Sequence, residues 1–409
     1  MTVSVLVPVF DAANFVAETA ASILAQTHTD LRIVFAVEPG GADRPHEPEA
    51  SLAALAPFRA DGRVEIRTNP VRLGWTGNID ALLAAVDTPY FAILPHDDLW
   101  HLRYVETLLG ELEAAPDASV AYTDLRLLAG RQTFRRALPI RRDTDSIGQL
   151  FDFFLEGPLA MPWRGLTRTA SLARTGGFPS EEGIGRYAET EYALRLIAAG
   201  RVVHHPAALF VKRMPAGPSK SASGARNAAA PALRREGLGA TWENMRAIAD
   251  GMLSAAAATD ARRQLFGTLF LARRAAQTHG VLGEAVADVD RTRIEAALQA
   301  VLAMPECRSA AEGASAESTL AARIAAQCHA VLGADARLRE DCSEAERHAA
   351  AAMALAPTDP GVLVSYGRVL THLGRTLEAV EVLDRALRTS PNPRPIAQLL
   401  AAAIPPARR

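Results

Sequence analysis

The chain has 409 residues, of which 49% are hydrophobic and 22% charged, and its formal net charge is −2. A protein of this size exceeds one ordinary core, so two or three globular domains are expected. The near-neutral balance offers no general electrostatic basis for binding nucleic acid or an anionic membrane surface.

Residues 3–9 form a short β-branched run, and 14–26 carry a helical pattern. Strands are expected at 31–37, 64–67 and 90–94, with helices at 47–59 and 76–86 between them. A helix at 102–114 and a strand at 119–123 follow. Strands alternating with helices of these lengths imply an α/β domain with a mainly parallel sheet covered on both faces. Beyond residue 132 the pattern loosens into helices near 147–155 and 186–199 and short strands at 201–204 and 209–212. Residues 215–224 are rich in Pro, Gly and Ser, the composition of a domain boundary or a mobile loop.

The remainder is Ala-rich and helical. Leu332-Gly333, Ala345, Ala352 and Pro357 recur as Tyr366-Gly367, Ala379, Ala386 and Pro391, each 34 residues on. Small residues where two helices cross, with Pro after the second, resemble the tetratricopeptide repeat. The expected organisation is therefore an α/β domain at 1–220, a helical bundle or linker at 221–325 and helical repeats at 326–409. Two repeats alone could not bury their own surface, so the bundle is expected to cover the first of them. Three cysteines, Cys307, Cys328 and Cys342, show no metal spacing and read as thiols of a reducing compartment. No run reaches the roughly 18 apolar residues of a membrane span. The expected location is cytoplasmic, compatible with peripheral docking at the inner face of a membrane.

The segment most informative about chemistry is Tyr90-Phe-Ala-Ile-Leu-Pro-His-Asp-Asp-Leu-Trp100, an apolar strand ending in two carboxylates. Ligands of open α/β sheets bind at the carboxyl ends of strands. Asp97 and Asp98 there suit Mg²⁺ or Mn²⁺ carrying a diphosphate, or else a simple turn.

With these residues in place, the N-terminal half, to about residue 220, resembles family 2 glycosyltransferases of the GT-A fold. Val3-Ser-Val-Leu-Val-Pro-Val-Phe-Asp11 looks like the opening strand and nucleotide-binding turn, so Pro8, Val9, Phe10 and Asp11 are expected beneath the nucleotide. Glu38-Pro-Gly-Gly-Ala-Asp43 stands where the family has an acidic turn, and Glu38 is expected to accept from the base. Asn69-Pro-Val-Arg-Leu-Gly-Trp-Thr-Gly-Asn-Ile-Asp80 resembles the loop below the nucleotide, with Arg72 a partner for phosphate and Gly74 structural. His96 is expected at the ribose or in solvent.

The family's Asp-x-Asp is only partly kept. Pro95 replaces the first Asp, and Asp97, with Asp98 after it, is left to hold the metal. Where the family often has a late His, Arg213-Met-Pro215 puts Pro. The helix containing Tyr187-Ala-Glu-Thr-Glu-Tyr-Ala-Leu-Arg-Leu196 resembles the family's base-bearing helix, making Glu189 the expected catalytic base and Glu191 the runner-up. Trp163 and Arg164, in Gly157-Pro-Leu-Ala-Met-Pro-Trp-Arg-Gly165, are placed on the sugar or acceptor side, with core packing as the alternative for Trp163 and the phosphate or a charged sugar as the expected partner of Arg164.

The resemblance implies an inverting, metal-dependent hexosyl transfer from a UDP-, GDP- or dTDP-sugar to a hydroxyl of a glycan, lipid-linked or protein acceptor, in cell-surface polysaccharide or glycoconjugate synthesis. The repeats would hold a protein partner or a second copy. A second reading is a scaffold that has lost catalysis and works through its repeats.

Overall fold

The computed structural model describes residues 1–40, 46–130, 132–137, 140–156, 161–179, 187–214, 231–282, 286–305, 316–390 and 393–403. Asp43, Gly157, the boundary segment 215–224 and Cys307 lie outside the described residues. The chain divides into two compact units, Met1–Phe153 with Pro158–Met252, and Phe154–Gly157 with Leu253–Arg409.

The first unit is built on β1 (Val3–Val9), whose every residue is buried. A strand flanked on both sides and covered on both faces has no solvent side, which is why its apolar run is continuous. Helix α1 (Val16–Leu24) leads to β2 (Leu31–Val37), and α2 (Glu47–Leu55) with a 3₁₀ turn leads to β3 (Val64–Thr68). Helix α3 (Gly74–Leu83) returns to β4 (Tyr90–Ile93), which β1 pairs in parallel through Leu6 opposite Ile93. The full order is β3-β2-β1-β4, then β8 (Leu166–Arg168), β6 (Ala118–Ala129), β9 (Arg201–Met214) and β5 (Leu99–Trp100), with β7 (Gln132–Arg136) paired to β6.

The second half of the sheet is less regular. The two-residue β5 (Leu99–Trp100) is followed by α4 (Tyr104–Ala114), β6 (Ala118–Ala129) and β7 (Gln132–Arg136). Helix α5 (Ser146–Leu155), β8 (Leu166–Arg168), the short α6 (Leu172–Thr175), α7 (Ala188–Ala199) and β9 (Arg201–Met214) complete it. β8 runs antiparallel between β4 and β6, whereas β6 and β9 are parallel. The two short strands expected near the end are one strand, β9, running through Pro206; register shifts opposite Thr123 and Leu125 absorb the irregularity. The first unit continues past residue 220 through most of α8 (Pro231–Ala255), where Trp242 and Met245 are buried.

The second unit is helical throughout its described residues: α9 (Asp260–Leu282), α10 (Asp288–Leu302), α11 (Ala316–Leu338), α12 (Cys342–Leu355), α13 (Pro360–His372), α14 (Thr376–Thr389) and α15 (Pro393–Ala403). The 34-residue spacing places α11–α12 and α13–α14 as two hairpins. Ala345, Ala352, Ala379 and Ala386 are all buried at the crossings. Asp341 and Asp359 cap α12 and α13 by accepting from backbone N–H groups, which fixes where each helix starts. Among the described residues no helix is long and apolar enough to cross a membrane.

Candidate active site

The carboxyl ends of β1, β2 and β4 gather the residues expected at a nucleotide. Pro8 and Val9 are buried at the end of β1, and the Pro8 carbonyl accepts from Nδ1–H of His96 at 3.0 Å. His96 is thereby a tie between the acidic turn and β1. The Thr19 hydroxyl lies 2.7 Å from the His96 carbonyl oxygen and 2.9 Å from that of Asp98, clamping the same turn from α1. Asp11 takes a positive φ of 52°, the sharp exit that follows β1. Phe10 is half-buried, and the Arg72 guanidinium lies 4.3 Å above its ring, so both expected donor contacts occupy one spot.

Glu38 has a different environment from the one expected. It is 2% exposed, with Oε1 accepting from Asn69 Nδ2 at 2.7 Å and Oε2 accepting from the Leu73 and Gly74 amides at 2.8 and 3.0 Å. Asn69 Nδ2 also donates to Asn78 Oδ1, and Asn78 Nδ2 to the Ala36 carbonyl, at 3.1 and 3.0 Å. Glu38 therefore pins the loop and the first turn of α3 to β2, with Gly74 at φ +75° making the bend. Asn69 and Asn78 were not singled out as site residues, although they lie in the quoted motif.

The acidic turn is closed from the far side by β9. Leu99 of β5 pairs antiparallel with Val211, bringing Lys212 and Arg213 beside Asp97 and Asp98. The Arg213 amide donates to Asp98 Oδ1 at 2.9 Å, and its guanidinium donates to the Asp97 carbonyl at 2.9 Å and ion-pairs with Glu18. Asp98 is fully buried and its Oδ2 has no hydrogen-bond partner. Burial raises its pKa to about 6, opposed by Lys212 and Arg164 and reinforced by Asp97. Asp97 is half-buried and remains accessible.

These donors test the expected Mg²⁺ or Mn²⁺ site. A hard divalent ion takes about six oxygens, yet Asp98 is a buried strut of the turn rather than an open ligand. No group of three His, Cys, Asp or Glu side chains gathers among the described residues. Lys212 and Arg164, whose charges interact with both aspartates, would repel such an ion. The set does not fit a metal held by the protein's own ligands.

Trp163 is 1% exposed, packed edge-on by Trp75 and Phe178 and covered by the Arg164 guanidinium at 4.3 Å. It is core, not an open platform for a sugar. Gly165 follows because a Cβ there would lie 2.3 Å from the Ala121 carbonyl of β6. On α7, Glu191 is 4% exposed, bonded to Arg195 at 2.6 Å and to Asn244 at 3.1 Å. The runner-up base is thus held in an ion pair with Arg195 and a hydrogen bond from Asn244. Glu189 is half-buried, and its charge acts on both Arg164 and Lys212, as do those of Asp97 and Asp98. Asp97 and Glu189 thus belong to one electrostatic neighbourhood. A separate depression of about 610 Å³, lined by Glu18, Ser22, Trp100, His101 and Arg126, contains none of the residues expected to act.

Residues 4–168 match the family model Glycosyl transferase family 2, and residues 336–404 match Tetratricopeptide repeat. Among solved structures, S. aureus TarS 1-349 in complex with UDP-GlcNAc is 16% identical with a TM-score of 0.54, covering 83% of this chain and 92% of that one. A second TarS 1-349 structure is 15% identical with a TM-score of 0.51 over the same shares, 83% and 92%. At such identity the likeness is one of fold. Against the longer TarS structure (13% identity, TM-score 0.48, 93% of this chain) the chain spans about half the length, 54%. No curated protein matches. The sheet topology and the two matched segments agree on one assignment: the first unit carries a family 2 glycosyltransferase domain of GT-A fold, and the second carries tetratricopeptide repeats.

Proposed function

We propose that the chain is an inverting glycosyltransferase, with Glu189 as catalytic base and a nucleoside-diphosphate sugar as donor. The observation that carries this is the common neighbourhood of Glu189, Asp97, Arg164 and Lys212, at the junction of the α7 N-terminus with the ends of β4 and β9. An acceptor hydroxyl on the Glu189 side attacks the anomeric carbon and gives its proton to the carboxylate. The bond from that carbon to the diphosphate breaks, and the diphosphate leaves with the electron pair. Attack opposite the leaving group inverts the centre.

The remaining residues position the donor. Phe10 and Arg72 offer a stacked surface and a charge at the end of β1. Glu38 shapes the loop that carries Arg72 rather than meeting the base itself, so donor preference rests on other contacts. GT-A glycosyltransferases commonly use a divalent metal; of the two aspartates of the turn, Asp97 is the one open to it, and no step is assigned to it. The acceptor is a hydroxyl compound of glycan, lipid-linked or protein class, and the repeats hold a protein partner or a second copy.

The test is a panel of UDP-, GDP- and dTDP-sugars assayed by nucleotide release with wild type and Glu189→Gln. Loss of the base lowers turnover by about 10²–10⁴-fold, while donor affinity is kept because the amide retains the shape. Equal turnover by the variant would remove Glu189 from the role.

A further inference from the structure

We propose that Arg164 and Lys212 form a ready-made seat for a diphosphate, so that cationic side chains of the chain itself take up the charge of the leaving group. The proposal rests on the sugar-transfer reading of this site and adds to it the groups that meet the phosphates.

Arg164 is fixed along its length. Its carbonyl accepts from the Tyr104 hydroxyl, its guanidinium lies on the Trp163 face at 4.3 Å and 5.9 Å from the Phe210 centroid, and Gly165 presses the chain onto β6. Its Nε is buried without a hydrogen-bond partner. Lys212 arrives from β9, in register with Leu127 of β6. Among the described residues, neither the Arg164 guanidinium nor the Lys212 ammonium closes an ion pair or donates a hydrogen bond. The two are close enough to interact: Arg164 is the leading cause that lowers the Lys212 pKa, with burial second. Arg136 of β7 adds a third positive charge in the surroundings of Arg164.

Two like charges held together and partly out of water destabilise a fold. Such an arrangement persists where a bound group relieves it. Asp97, Asp98 and Glu189 act on both cations through their charges. A diphosphate supplies what is missing. Its oxygens match the planar fork of Arg164 and the compact charge of Lys212, and both contacts strengthen as negative charge grows on the departing group.

The experiment uses the full chain in EDTA, with inorganic pyrophosphate, UDP and GDP as probes, read by calorimetric titration and thermal shift. Wild type is expected to bind pyrophosphate in EDTA, with Mn²⁺ changing the affinity by less than about threefold. Lys212→Met should weaken pyrophosphate by at least about tenfold, the scale of one lost charge-assisted contact, and should not lower the melting temperature of the free protein. A residue with a merely structural role would do the opposite. Arg164→Met, measured the same way, serves if Lys212→Met does not fold, and Arg126→Met on the exposed face of β6 is the control expected to bind as wild type. Pyrophosphate binding that appears only with Mn²⁺, or that survives both substitutions, overturns the seat. Lys212-dependent binding without nucleotide release from any sugar donor keeps the seat and removes the sugar-transfer reading.

Discussion

At the residue scale, the most instructive side chain is Glu38, because its carboxylate sets the direction of a chain of amides. Both its oxygens accept, so Asn69 must present Nδ2, Asn78 must then present Oδ1, and Asn78 Nδ2 is left to meet the Ala36 carbonyl. Glu38→Gln breaks this order. If the new carbonyl faces the Leu73 and Gly74 amides, the new NH₂ faces the Asn69 NH₂, and neither asparagine can flip without breaking the next link. The variant should lose about 1–3 kcal/mol of stability, the cost of a buried donor without an acceptor. A contact reserved for the base would behave otherwise, leaving stability unchanged while altering donor choice. Denaturant melts of the two proteins decide: coincident curves would show that the amide chain does not depend on the charge.

At the element scale, the sequence was most legible where an element is buried all round. Strands β1 and β2 were expected at the residues where they lie, because continuous apolar β-branched runs have few other places to go. Elements that owe their existence to partners were not legible. The strand expected at 119–123 extends to Ala129 because β7 and β9 pair with its outer half, and β5, β7 and β8 have runs too short or too polar to announce themselves. The same limit applies to the site. Asp97 and Asp98 stand out after an apolar strand, whereas Lys212 and Arg213 look like ordinary strand positions until β5–β9 pairing sets them beside the aspartates. The repeat glycines were legible from spacing, and their reason is now visible. A Cβ on Gly367 would come within 2.7 Å of Leu383 Cγ and Cδ2, while at Gly333 the nearest atom would be the Ala345 carbonyl oxygen at 3.3 Å. Two effects oppose each other in Gly367→Ala. Alanine favours the helix by about 1 kcal/mol, and overpacking costs about 1–3 kcal/mol. Leu383 is 1% exposed and has little room to yield, so a net loss is expected. In a Leu383→Ala background the clash is gone and the same change should stabilise. Urea melts of the four proteins in that cycle test the sign reversal; a constant effect in both backgrounds would mean that the crossing is not set by this contact.

At the scale of the whole molecule, the two units carry buried titratable groups that respond to acid in opposite senses. In the helical unit, His329 Nδ1 and His348 Nδ1 lie 2.8 Å apart between α11 and α12, and both residues are buried. So close a pair is bonded only when one ring donates and the other accepts, which excludes two imidazolium ions. Burial, then His348 and Arg347, push His329 down to about 4 from 6.5. His348 is also lowered, by burial and Arg347, although Glu344 at 3.8 Å from its Nε2 pulls the other way. Between pH 6.5 and 4 the unfolded chain therefore binds protons that the folded helices refuse. The pair's contribution is complete above the upper value and shrinks as pH falls. Asp98 in the first unit behaves inversely. Its folded carboxyl, raised from 3.8 to about 6, holds a proton that the unfolded chain releases, so its contribution is present at low pH and lost as pH rises through 6. Scanning calorimetry of the full chain from pH 7.5 down to 4.5 should accordingly show the transition of the helical unit moving to lower temperature relative to that of the sheet unit. Replacing both histidines, His329→Asn with His348→Asn, removes the refused protons while keeping an amide pair able to bond across the same gap, and should flatten the acid slope of the helical transition alone. An unchanged slope in that variant would assign the acid sensitivity to other groups.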